Sequence, residues 1–227
     1  MENRLIIFDL DGTLLNTLDD LTDSLNHVLA AHKLPVHTKR AVKGFVGNGV
    51  RKLIERAVPG GEENPLFETI LAENKTYYRE HMDRKTAPYV GIRRMLSRLQ
   101  KDGYLLAIAS NKYDSATQGL REMFFNDTIF LALGDGVVET KKPEPQIIYE
   151  VMRRSHVTDR AHVLYVGDSD VDIKTAENAG IGCVSVSWGF RSARFLRENG
   201  AKILIDRPGK LPAAAAAYFE ASTAIEK

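Results

Sequence analysis

Two aspartates, Asp9 and Asp11, stand one residue apart where the apolar run Leu5-Ile6-Ile7-Phe8 breaks off, and Gly12 follows them. Alternation along a strand points both to one side, while Gly12 already turns the chain. Carboxylates at the end of a buried strand are costly unless a cation or a reacting group compensates them. Three further segments carry chemistry at comparable places: Ser110-Asn111-Lys112 behind the run Tyr104 to Ala109, Lys141-Lys142-Pro143 before a helix from Gln146, and Val166-Gly167-Asp168-Ser169-Asp170-Val171-Asp172. Gathered at one sheet edge, Asp9, Asp11 and Asp168 form an oxygen-rich set suited to Mg²⁺, which takes few carboxylates and keeps several waters. Ser110 and Lys142 would then supply donors and positive charge to a phosphoryl group. Capping of the next helix accounts for one acid of the last segment, and Asp170 is expected to face away from the site, with that helix cap as its plainer role.

These residues need elements to position them. Buried strands are expected at Leu5–Phe8, Tyr104–Ala109, Ile129–Leu133, Val163–Val166, Cys183–Val186 and Ile203–Ile205. Helices separate most of them, over Ser115–Phe124, Gln146–Arg154, Val171–Ala179 and Ala193–Asn199, with a closing helix around Pro212–Ala221. Alternating helix and buried strand predicts an α/β fold with a doubly wound, Rossmann-like parallel sheet, whose ligands bind at the carboxyl edge. Between Leu15 and Met82 the periodicity is helical throughout, for example at Leu18, Leu21, Leu25, Val28 and Leu29. Residues 16–83 therefore read as an inserted all-helical cap, and residues 1–15 with 84–227 as the α/β core. Thr17 and Asp20 have capping-box spacing, and hinges are expected near Leu14–Thr17 and Asp83–Pro88.

Composition narrows the class. The chain has 227 residues, a formal net charge of +1 and one cysteine, so neither a nucleic-acid partner nor an intrachain disulfide is expected. Met-Glu-Asn-Arg leads straight into a strand, and no apolar run approaches the ~20 residues that span a bilayer. The expectation from composition is a cytoplasmic protein without membrane contact, monomer and dimer fitting equally; the phosphoryl-binding residues above, not composition, add a small phosphorylated metabolite as its partner. Cys183 reads as an inert buried thiol, the six histidines lack ligand spacing, and Arg191, Arg194 and Arg197 read as a solvated helix face.

The motif Asp9-Leu10-Asp11-Gly12-Thr13 with Leu14-Leu15 resembles the opening motif of the haloacid dehalogenase-like hydrolase superfamily, and the other three segments match its remaining motifs in order. The resemblance implies roles. Asp9 becomes the nucleophile, forming an aspartyl-phosphate, and a metal ligand. Asp11 acts as acid and then base, with its carbonyl on the metal. Ser110 binds the phosphoryl group, and Lys142, which directly precedes the proline as the family lysine does, neutralises charge. Asp168 is a metal ligand and Asp172 an outer-sphere acid. Gly12, Thr13 and Asn111 are expected at the substrate.

The insertion resembles the helical cap of the phosphoglycolate phosphatase branch through Phe45-Val46-Gly47-Asn48-Gly49-Val50, and Trp188-Gly189-Phe190-Arg191 is also typical of it. Gly47 and Asn48 would then approach the substrate, with Arg51 meeting a carboxylate through its fork; Lys43 reads as a solvated helix residue. A phosphatase is the reading this supports. Pyrophosphatase, β-phosphoglucomutase-type mutase and an inactive binding relative are the alternatives.

Overall fold

The computed structural model describes residues 3–225. The chain runs through β1 (Leu5–Phe8), β2 (Leu15–Asn16), four helices α1 (Leu18–Ala31), α2 (Lys39–Phe45), α3 (Gly49–Ala57) and α4 (Phe67–His81), then β3 (Ala87–Pro88). Helix and strand then alternate: α5 (Ile92–Lys101), β4 (Leu105–Tyr113), α6 (Asp114–Phe125), β5 (Leu131–Asp135), α7 (Gln146–Arg154), β6 (Val163–Gly167), α8 (Asp170–Ala179), β7 (Gly182–Val186), α9 (Ala193–Glu198), β8 (Ile203–Ile205) and α10 (Leu211–Ile225).

Six strands form one parallel sheet in the order β5-β4-β1-β6-β7-β8. The first strand is central, with Ile7 level with Ala107 on one side and Tyr165 on the other. The chain winds outward through β4 and β5, then returns to build the other half from β6. That reversal opens a crevice at the carboxyl end of β1, where Asp9 and Asp11 follow. All four residues of β1 are fully buried, as a strand covered on both faces requires. Ile6 and Phe8 pack with α5, α6 and α10, while Leu5 and Ile7 pack with α7 and α8.

Two strands differ from expectation. The fifth begins at Leu131 rather than Ile129, because Ile129 closes the turn after α6, donating to Phe125 O at 2.9 Å and accepting from Arg121 Nε at 2.7 Å. β4 runs on to Tyr113, with an irregular register against β5 beyond Ala109. Ser110, Asn111 and Lys112 thus lie within the end of the strand, not behind it.

Helices α1 to α4 share a separate apolar cluster, centred on Leu25, Leu29, Val42, Ile54 and Ile70, that Phe190 of the α/β portion also enters. The two connections pair as an antiparallel ribbon, Leu15 with Pro88 and Asn16 with Ala87. Here the expected capping box is absent: Thr17 makes no side-chain cap bond. Asp20 turns instead to the returning connection and accepts from the backbone N–H groups of Lys85 and Thr86 at 2.8 to 3.0 Å. It is 2% exposed, so Asp20→Ala would strand buried donors. We expect that substitution to lower stability by about 2–3 kcal/mol in urea unfolding; a midpoint equal to wild type would contradict this role.

Candidate active site

Beyond β1 the chain continues the ladder for one residue, Asp9 N donating to Val166 O at 2.9 Å, and then turns back at Gly12, whose φ is +86°. A Cβ at Gly12 would lie 2.5 Å from Asp168 Oδ2. The glycine is therefore what lets the β1 loop close on the end of β6. Thr13 completes that contact, donating to Asp168 Oδ1 at 3.1 Å, while its carbonyl accepts from Trp188 Nε1 at 3.0 Å. Gly12 and Thr13, expected at the substrate, instead support Asp168 from behind.

Lys142 is 4% exposed. Its ammonium lies 3.0 Å from Asp9 Oδ1, 2.8 Å from Asp172 Oδ1 and 2.8 Å from the Tyr165 hydroxyl, and that hydroxyl donates to Ala109 O at 2.9 Å. Lys141 points elsewhere, pairing with Asp135 at 2.8 Å. Asp172 Oδ2 closes the α8 capping box, accepting from Ser169 N at 3.0 Å and Ser169 Oγ at 2.6 Å. With both oxygens engaged, Asp172 orients the lysine. Asp170, placed at a helix cap from the sequence, is the first residue of α8 and lies 3.8 Å from Arg191 Nε.

Asp9, Asp168 and Asp172 each offer an oxygen within 4.8 Å of the others, and no histidine enters this cluster. Burial pushes Asp9 up to about 6, with Lys142 opposing and Asp172 and Asp11 adding to the rise. Burial likewise pushes Asp168 up to about 8, reinforced by Asp172 and Asp9 and opposed by the Phe190 N–H and the Thr13 hydroxyl. Burial acts to lower Lys142, yet the charges of Asp172 and Asp9 prevail and hold it well above the ordinary lysine value. Asp9 Oδ1 makes no aligned hydrogen bond among the described residues despite its nearness to Lys142. A crowded carboxylate set with one oxygen so placed can hold a metal ion, and its all-oxygen donors suit a hard one.

A cavity opens in front of this cluster, lined by Asp9, Asp11, Ser110, Asn111, Lys112 and Asp168 from the sheet edge and by Gly47, Val50, Leu53, Asn74 and Tyr78 from the helices above. Ser110 is 2% exposed. Asn111 is a bridge between layers: its Nδ2 donates to Gly47 O at 3.1 Å and Lys142 O at 3.0 Å, and its Oδ1 accepts from Lys142 N at 2.9 Å. Lys112 forks its ammonium across both oxygens of Asp11, at 2.9 and 3.0 Å.

Four expectations in and against the helical layer change. Arg51 does not line the cavity; it pairs with Glu62 at 3.1 Å and Glu68 at 2.8 Å and stacks over Phe67. Asn48 likewise faces away, accepting from Arg56 at 2.8 Å. Arg191, read as a solvated residue, donates to the carbonyls of Lys43 and Val46 at 3.0 Å each, and Lys43 in turn donates to Gly189 O at 3.2 Å. Each link spans about 145 residues of chain, out of reach of any local pattern. Lys112, Asn74 and Tyr78 were not singled out by sequence as site residues. Asn74 carried a signal, being a polar residue on a face otherwise made of Phe67, Ile70 and Leu71.

The remaining features are structural. Burial pushes the Cys183 thiol up to about 12, so it stays protonated and inert. Among the described residues no helix is long and apolar enough to cross a membrane.

The haloacid dehalogenase-like hydrolase family model matches residues 6–186. The phosphoglycolate phosphatase of Mesorhizobium japonicum is 38% identical over 206 residues, covering 87% of this chain and 88% of its own. That of Pseudomonas savastanoi pv. phaseolicola is 32% identical over 215 residues, with 92% and 78% covered. A solved phosphoglycolate phosphatase-like protein of Lactobacillus delbrueckii subsp. bulgaricus superposes with a TM-score of 0.88 at 32% identity, covering 95% of this chain and 99% of that one.

Proposed function

The chain belongs to the haloacid dehalogenase-like hydrolase family and is a phosphatase of its phosphoglycolate phosphatase-like branch; on that premise we propose that it hydrolyses a small phosphomonoester, phosphoglycolate first, with Mg²⁺ and through a phosphoryl group carried on Asp9. The observation that carries this reading is the setting of Asp9: a buried carboxylate beside Lys142, with Asp168 behind it and Asp11 and Ser110 lining the same cavity.

Asp9 and Asp168, with the Asp11 carbonyl, would hold the ion. When bound, Mg²⁺ supplies charge neutralisation to the phosphoryl oxygens. The chain's own groups account for the rest. An Asp9 oxygen attacks phosphorus while the bond to the leaving alcohol breaks, and Asp11 delivers a proton to that alcohol. Asp11 then takes a proton from water as the water oxygen displaces Asp9, giving inorganic phosphate and the free carboxylate. Lys142 balances charge on Asp9 and the transferring group, and the Ser110 hydroxyl donates to a phosphoryl oxygen. Apolar walls at Val50 and Leu53 weigh against pyrophosphate.

The test is phosphate release from a phosphomonoester panel with and without Mg²⁺. Turnover that chelation abolishes supports the reading, and inactivity across the panel favours a binding relative. Stability offers an independent check. Asp9 and Asp168 are raised from 3.8 to about 6 and about 8, so the folded state keeps protons that the unfolded chain has released. Without metal, stability is therefore expected to fall as pH rises from about 4 to about 8. Saturating Mg²⁺ should remove most of that fall. A flat profile of Tm against pH in chelator would argue against the crowded-carboxylate account.

A further inference from the structure

The helical side of the cavity carries two buried polar groups that the chemistry at Asp9 leaves unused. Asn74 and Tyr78 stand one turn apart on α4, at i and i+4, and so share a face. Both line the cavity, and they are 4% and 2% exposed. Asn74 Nδ2 and the Tyr78 hydroxyl have no hydrogen-bond partner among the described residues. Buried donors left unmade are costly, so a pair on one helix face asks for acceptors from outside the chain. Beneath them lies the Lys112 ammonium, 4.5 Å from the centre of the Tyr78 ring and already forked on Asp11. The other cation lining the cavity, Arg191, is engaged with backbone carbonyls.

We propose that Asn74, Tyr78 and Lys112 determine specificity at the leaving-group side of the site, receiving the carboxylate of the phosphoglycolate named above. The inference rests on the phosphatase reading and assigns residues to its specificity. Two neutral donors and a cation match the acceptors of one carboxylate. Their place beside Asp11 is where the alcohol departs. A site of buried donors also rejects the analogue that lacks the acceptor, because binding it leaves those donors unpaired.

The test compares kcat/KM for phosphoglycolate with kcat/KM for 2-hydroxyethyl phosphate, which has a hydroxyl where the other has a carboxylate. Wild type is measured beside Tyr78→Phe and the near-isosteric Asn74→Asp, with Tm recorded for each. The expected result is a wild-type preference for phosphoglycolate, reduced about tenfold in Tyr78→Phe and further in Asn74→Asp, where a like charge faces the carboxylate. The loss should appear chiefly in KM. Glycolate should inhibit wild type more strongly than either variant. An unchanged ratio in both folded variants overturns the proposal and leaves water as the partner of these donors. A wild type that favours 2-hydroxyethyl phosphate overturns it while the phosphatase stands. No turnover of either ester, or of the wider panel, removes the phosphatase reading and the subsite together.

Discussion

Asp9→Asn is expected to lose about a thousandfold or more in kcat while remaining folded, because the amide cannot carry the phosphoryl group. The same substitution should raise stability in metal-free buffer above pH 6. Burial and the neighbouring Asp172 and Asp11 charges make ionised Asp9 unfavourable there, and Lys142 keeps Asp172 as a partner at 2.8 Å. The gain should be on the order of 1–3 kcal/mol, and it should shrink when Mg²⁺ is added to both proteins. Opposite signs for activity and stability distinguish a strained nucleophile from a merely structural acid. Phosphate release within tenfold of wild type would remove Asp9 from the proposed role.

Lys142→Met should be the most destabilising substitution at the site. It retains the aliphatic length but removes the one ammonium that Asp9, Asp172 and the Tyr165 hydroxyl share. Breaking a buried ion pair from one side strands the other charge, at a cost of about 3–5 kcal/mol. Activity should fall by about a hundredfold or more in addition, as charge on the transferring group loses its fixed counterion. Because a divalent cation offers the stranded carboxylates another partner, Mg²⁺ should recover part of the lost stability and little of the activity. Urea unfolding with and without Mg²⁺ separates the two, and native stability in metal-free buffer would contradict the charge geometry described here.

The sheet and the cluster of acids were legible because each rests on a local signal. Leu5–Phe8 reads as a strand buried on both sides without any knowledge of its neighbours, and its abrupt end in Asp9 and Asp11 marks the edge where ligands bind. Lys142 was located through its proline and its place in the order of motifs. What escaped was set by partners distant in the chain. Thr17 and Asp20 have capping-box spacing, yet Asp20 meets the unsatisfied backbone of Lys85 and Thr86 and leaves the box unformed. Arg51 looked like a carboxylate receptor, but Glu62 and Glu68 lie within its reach on the surface. Lys112 looked like the tail of a motif until Asp11, 101 residues earlier, was brought against it. The Ile129 displacement is local instead: its backbone N–H and C=O are taken by Phe125 and Arg121 of the preceding helix, which an apolar run cannot show.

One short loop after β7 grips both halves of the molecule. The Phe190 N–H donates to Asp168 Oδ2 at 2.6 Å, the Phe190 ring enters the apolar cluster of the helical layer, and Arg191 holds that layer's carbonyls. At Gly189 a Cβ would fall 2.3 Å from Gly12 O and 2.4 Å from Asp168 Oδ2, so nothing bulkier fits at the pivot. A swing of the helices away from the sheet would therefore pull on the very backbone that steadies Asp168. On the proposed reading, opening the cavity and loosening an ion held at Asp168 would then be parts of one movement.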